Sequence, residues 1–112
     1  MKKRARILFI NEAAKFSFES LKKGNGFERR LHESIGKALE KISRDAFCGI
    51  QIPKKLFLRE YVLKHDIGNL WKYNIPSGWR LIYTITSDGE AEIIAVILDW
   101  FSHKEYERKF RY

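Results

Sequence analysis

Between Leu70 and Trp100 the chain reads LWKYNIPSGWRLIYTITSDGEAEIIAVILDW, and over this stretch the hydrophobic period becomes two. It divides into LWKYNI, WRLIYTIT and AEIIAVILDW, joined by PSG and SDGE, both ordinary hairpin chemistry. A three-stranded antiparallel meander is the expected result. With tight hairpins centred on Ser77 and on Asp88–Gly89, paired residues share a face. One face then collects Trp71, Tyr73, Ile75, Trp79, Leu81, Tyr83, Ile85, Ile94, Val96, Leu98 and Trp100, and needs helices to cover it. The other collects Lys72, Asn74, Arg80, Ile82, Thr84, Ile93, Ala95, Ile97 and Asp99, and reads as the open side of the sheet. A slip of one residue would destroy the apolar face.

Upstream of the meander lie two helices. RILFI (Arg6–Ile10) is a short strand; Asn11 can cap a helix over Glu12–Lys23, which Gly24 can end. A longer helix is expected over Phe27–Asp45, with Phe27, Leu31, Ile35, Ala38, Leu39 and Ile42 on one stripe. Its opposite face carries Glu33–Lys37 and Glu40–Arg44 at i,i+4 spacing. The connection Gly49–Asn69 is broken by Pro53 and holds a short helix near Leu56–Lys64. The architecture is therefore α+β: an N-terminal strand, a two-helix hairpin, the meander and a C-terminal helical tail. Residues 1–112 form one domain on this reading, since the length suits a single core.

Core material is ample, at 45% hydrophobic residues with three Trp, eight Phe and five Tyr. The 22 Lys+Arg against 14 Asp+Glu leave a net charge of +8, which favours a polyanionic partner: nucleic acid, an anionic membrane surface or an acidic protein. The one cysteine, Cys48, cannot form an internal disulfide and reads as a small buried apolar residue in a reducing compartment. KKRAR after Met1 is followed by too short an apolar run, Ile7–Ile10, for a secretion signal, and nothing approaches a membrane span. A soluble cytoplasmic protein is expected. His32 and His65 have no metal-like spacing with Cys48 or with each other, so no metal and no cofactor is expected.

The polar residues converge at one end of the meander. On the expected register Arg80 lies beside Asn74 and near Ile97 and Asp99, and Lys72 shares its face. The segment DWFSHKEYERKF (Asp99–Phe110) then begins where that face meets solvent. If it is helical, His103 and Tyr106 stand at i,i+3 on one side. Arg80 brings a planar, permanently charged fork that matches phosphate oxygens. His103 can both give and take a proton near neutrality. An ion pair from Arg80 to Asp99 across the sheet is an alternative use of that arginine, and Tyr106 can equally serve packing. Lys54, Lys55, Arg59, Lys64 and Lys104 read as RNA contacts or as a solvated basic face.

The run NLWKYNIPSGWRLIYTI, a strand ending in ILDW and then HKEYERKF resemble the RelE/ParE toxin superfamily of toxin–antitoxin modules. The likeness covers nearly the whole chain, with Gly78–Tyr83 (GWRLIY) as its most specific piece and the H-K-x-Y of the tail as the next. It implies a sheet packed by two helices. It also implies a metal-independent, ribosome-dependent mRNA endonuclease in which the 2′-hydroxyl attacks the adjacent phosphate. By the resemblance, the family's strand arginine falls on Arg80, its C-terminal His or Tyr on His103 or Tyr106, and the lysine-rich strand of some members on Lys72, with Asn74 in place of a second lysine. The loop glutamate of some members has no secure match, Glu60 being nearest. The implied partners are mRNA, the ribosome and an acidic antitoxin. Two other functions stay open: a ParE-like toxin acting on gyrase, and a non-catalytic binding relic of the fold.

Overall fold

Five strands rather than three make up the sheet of the computed structural model, which describes residues 3–89 and 92–110. The chain runs through β1 (Ala5–Phe9), α1 (Glu12–Leu21), α2 (Gly26–Arg44), β2 (Ile50–Gln51) and α3 (Arg59–His65). It continues through β3 (Trp71–Asn74), β4 (Arg80–Ser87), β5 (Ile93–Phe101) and α4 (His103–Phe110). Short 3-10 turns occupy Lys54–Leu56 and Pro76–Gly78. The sheet order is β1-β5-β4-β3-β2. The α+β class therefore stands, and the meander is the centre of a larger mixed sheet. β1 adds in parallel to β5, and the two-residue β2 adds antiparallel to β3. Among the described residues no helix is long and apolar enough to cross a membrane.

Local signals place the helices. Asn11 caps α1 by accepting from the Ala14 N–H at 2.8 Å. Asn25 and Glu28 form a reciprocal capping box at the start of α2. Leu31, Ile35, Ala38 and Ile42 then bury against the sheet, while Glu33–Lys37 and Glu40–Arg44 pair on the outer side. Phe27, expected on the buried stripe, is 52% exposed and touches the core only at its rim, with its ring 6.1 Å from that of Trp79. Cys48 is exposed as well, not buried.

The β3–β4 hairpin has the expected register, with Tyr73 opposite Leu81 and Asn74 opposite Arg80. Ser77 and Gly78 hold positive φ, 77° and 86°, and the turn closes through Ile75 N–H to the Trp79 carbonyl at 2.8 Å. The β4–β5 hairpin departs from expectation. Ser87 pairs with Ile93, so the hairpin is not centred on Asp88–Gly89. Tyr83 therefore faces Ile97, and Ile85 faces Ala95. Ala95 and Ile97 join the helix-side core, and Leu98 joins the opposite one. A register shift between Ile82 and Tyr83 leaves Leu98 as an extra residue on β5, so that Leu81 faces Trp100. Such a bulge re-aims every side chain beyond it. Trp100 thus returns to the helix side, while Asp99 and Phe101 lie opposite Ile82 and Arg80.

The second face of the sheet is not open, contrary to the sequence reading. Ile82, Leu98 and Phe101 are covered by Tyr61 of α3, by Tyr106 and Phe110 of α4, and by Ile52 and Leu70. Eight buried apolar or aromatic side chains make this a second core, large enough to dominate the polar alternation that the strands show.

Tyr83 ties the first core to the loop after α2. Its hydroxyl donates to the Ala46 carbonyl at 2.9 Å and accepts from the Gly49 N–H at 3.1 Å. A Cβ on Gly49 would stand 2.5 Å from that hydroxyl and 2.7 Å from the Lys72 carbonyl, so the loop needs glycine there. Removing the hydroxyl strands two backbone groups. Tyr83→Phe is expected to lower the unfolding free energy by about 1–3 kcal/mol in a denaturant titration; an unchanged midpoint would show that water replaces it without cost.

Candidate functional site

Three elements meet at one end of the sheet to bring Arg80, His103, Tyr106 and Lys72 together. Arg80 opens β4 directly after the Ser77–Gly78 turn, and Lys72 lies on the neighbouring β3. His103 is the first residue of α4, whose start is set by a capping arrangement at Ser102. The Ser102 hydroxyl oxygen accepts from the Glu105 N–H at 3.3 Å, and the Glu105 carboxylate accepts from the Ser102 hydroxyl at 3.2 Å. The turn and the helix then touch: a Cβ at Gly78 would lie 3.3 Å from the His103 Cβ. Glycine at 78 lets the α4 start sit close to Arg80.

Arg80 Nη1 donates to the Trp79 carbonyl at 3.2 Å, and Nη2 lies 3.1 Å from His103 Nδ1. Since a guanidinium only donates, Nδ1 is the acceptor and the neutral ring carries its proton on Nε2. That nitrogen meets the Glu107 carboxylate at 2.8 Å. The imidazole is held from both sides, though its side chain is 57% exposed. Arg80 Nε is buried with no hydrogen-bond partner.

Beneath the polar groups lies Tyr106, only 2% exposed, its ring stacked on Phe110 at 4.6 Å. The Lys72 ammonium stands 4.9 Å from the Tyr106 ring centre and the Arg80 guanidinium 5.9 Å. Two cations thus gather on one aromatic ring, each attracted by its face. Tyr106 therefore forms the platform of the site, not a solvent-facing group.

Other expected contributors sit apart. Lys54 and Lys55 lie in the 3-10 turn, Arg59 and Lys64 on α3, and Lys104 on the exposed side of α4. Lys64 and Glu60 line a cleft of about 540 Å³ between α1, α3 and the end of β5, together with Tyr61 and Asp99. The structure thus places Glu60 with Asp99 and not with His103. Nor does Arg80 pair with Asp99, whose carboxylate instead accepts from the Trp100 N–H at 2.9 Å. Glu107 also belongs to the group around His103, and its i,i+4 spacing from that residue is the one mark it carries in the sequence. No group of three or more His, Cys, Asp or Glu side chains suited to a metal ion occurs among the described residues.

Burial holds the Asp99 carboxyl above the usual range, opposed by the Trp100 N–H and Lys109 and reinforced by Glu60 and Glu105. The same region raises the Tyr61 hydroxyl, chiefly by burial and then by the Asp99 and Glu60 charges. That hydroxyl feels Asp99 electrostatically, yet no group meets hydrogen-bonding geometry with it. A raised folded-state value means that the folded protein holds the Asp99 proton more tightly than the unfolded chain does. Stability therefore falls as the pH rises through the window above the ordinary aspartate value. Asp99→Asn is expected to raise the thermal midpoint at neutral pH and to leave it unchanged in acid. An equal shift at both pH values would rule out the ionisation as its cause.

Comparison with protein-family models, with curated proteins and with solved structures finds no match for this chain.

Proposed function

We propose that this chain is a RelE-like toxin that cleaves mRNA on the ribosome without a metal ion, by attack of the 2′-hydroxyl on the adjacent phosphate. The observation that carries the reading is the 3.1 Å contact between a strand-borne arginine and an imidazole, beside Lys72 on a shared aromatic platform. RNA cleavage of this kind needs a positive fork on the phosphate oxygens and a group that moves a proton nearby. Arg80 fits the first task and His103 the second. Lys72 adds charge as the phosphorane forms. The net charge of +8 suits both RNA and an acidic antitoxin that would cover the basic surface.

Primer extension on a reporter mRNA in a translating extract tests the reading. Wild-type protein is expected to give cuts within codons. Intact mRNA alongside growth arrest and DNA-damage signalling would instead favour action on gyrase. Salt-sensitive RNA binding with neither cleavage nor toxicity would indicate a non-catalytic relic.

A further inference from the structure

We infer that Glu107 is a positioning residue that keeps the His103 proton on Nε2 and so presents Nδ1 as the atom that accepts the 2′-hydroxyl proton; the inference rests on the ribonuclease reading above. Histidine's two nitrogens are distinct, and the hydrogen bond made by one sets what the other can do. Here the assignment is over-determined. Glu107 Oε1 lies 2.8 Å from Nε2, and as a carboxylate it can only accept. Arg80 Nη2 lies 3.1 Å from Nδ1, and as a guanidinium it can only donate. Both contacts require the same tautomer.

The two holds differ in what RNA does to them. Arg80 is the group suited to the scissile phosphate, and an oxygen of that phosphate is a stronger acceptor for Nη2 than a neutral imidazole nitrogen. Engagement of RNA draws the arginine onto the phosphate and frees the Nδ1 lone pair beside it. Glu107 sits on the far side of the ring, one turn along α4, and keeps its contact throughout. The balanced step follows. The 2′-hydroxyl proton passes to Nδ1 and the 2′-oxygen bonds to phosphorus. The bond from phosphorus to the 5′-oxygen breaks, and that oxygen takes a proton from water. The products are a 2′,3′-cyclic phosphate and a 5′-hydroxyl. The Glu107 charge stabilises the imidazolium that exists between proton uptake and its release to solvent.

An exposed i,i+4 pair contributes little to stability, so the ring's tautomer and not the melting point is the quantity that reads this contact. Long-range ¹H–¹⁵N spectra of the His103 ring in the full chain report that tautomer, at a pH where the ring is uncharged. Wild type and Glu107→Gln should show the proton on Nε2, because the Gln carbonyl still accepts there. In an Arg80→Met background, where the second hold on Nδ1 is gone, Glu107 alone should keep the proton on Nε2, and adding Glu107→Ala should give a mixture of tautomers. A mixture in wild type or in Arg80→Met alone, or a single Nε2 tautomer in the Arg80→Met/Glu107→Ala double variant, overturns the inference whatever the protein does to RNA. With RNA, Glu107→Ala should lower kcat by about tenfold or more at unchanged KM, with partial recovery in Glu107→Gln. A kcat equal to wild type would also overturn it. Should wild type cut no RNA while its tautomer is as stated, the ribonuclease reading fails and the positioning contact stands.

Discussion

His103→Ala is expected to lower the rate of mRNA cleavage by about 10²–10⁴ while leaving the fold intact. On the ribonuclease reading proposed above, the loss follows from removing the imidazole that would move the proton, which contacts Arg80 at 3.1 Å. Stability should hold because the ring is more than half exposed, 57% for its side chain, and its two partners are surface-facing or re-solvated when it goes. Single-turnover cleavage of a ribosome-bound message, with a thermal melt of the same preparation, reads both halves. Cleavage within tenfold of wild type would remove His103 from the chemistry and return α4 to a solvated tail. Arg80→Ala is the less discriminating variant. Its Nε is buried and its Nη1 holds the Trp79 carbonyl, so lost activity there mixes chemistry with a disturbed hairpin.

Tyr106→Ala carries the other large effect. The ring is 2% exposed, stacks on Phe110 at 4.6 Å and belongs to the second core with Ile82, Phe101 and Tyr61. Truncating a buried aromatic to alanine costs about 3–5 kcal/mol, a large share of the roughly 5–15 kcal/mol that holds a domain of this size folded. It also removes the surface on which Lys72 and Arg80 rest. A substantial drop in denaturation midpoint is expected, together with loss of cleavage. Tyr106→Phe keeps the ring and should cleave within tenfold of wild type. If the Phe variant instead folds normally and loses cleavage a hundredfold, the hydroxyl takes part in the reaction and the platform role is insufficient.

How far the site could be read in advance differs residue by residue. Arg80 and Lys72 were placed by alternation in a hairpin whose turn, Pro76–Gly78, is spelled out in the chain, and the observed pairing of Asn74 with Arg80 agrees. His103 was found by its position after the last strand. Glu107 was missed because a charged residue at i,i+4 on a helix is common, and only the Arg80 contact on the other ring nitrogen gives it meaning. For Tyr106 the sequence leaves packing and chemistry both open, and the family resemblance marks it as a candidate for the site; its burial depends on α4 folding back over Ile82 and Phe101.

Element type and ends came from short-range chemistry: Asn11 capping α1, the stripe of α2, and the period of two from Leu70 onward. Those signals act within a few residues, so they are written locally. The bulge at Leu98 is not, because Ile93–Leu98 is apolar at every position and satisfies either face. Long-range packing chose the register that buries Ala95 and Ile97 under the helices and still returns Trp100 to them. The same packing closed the second face with α3 and α4, where alternation had suggested solvent. Burial gains there come from residues up to 58 positions apart, Ile52 to Phe110, a distance over which no periodicity carries information.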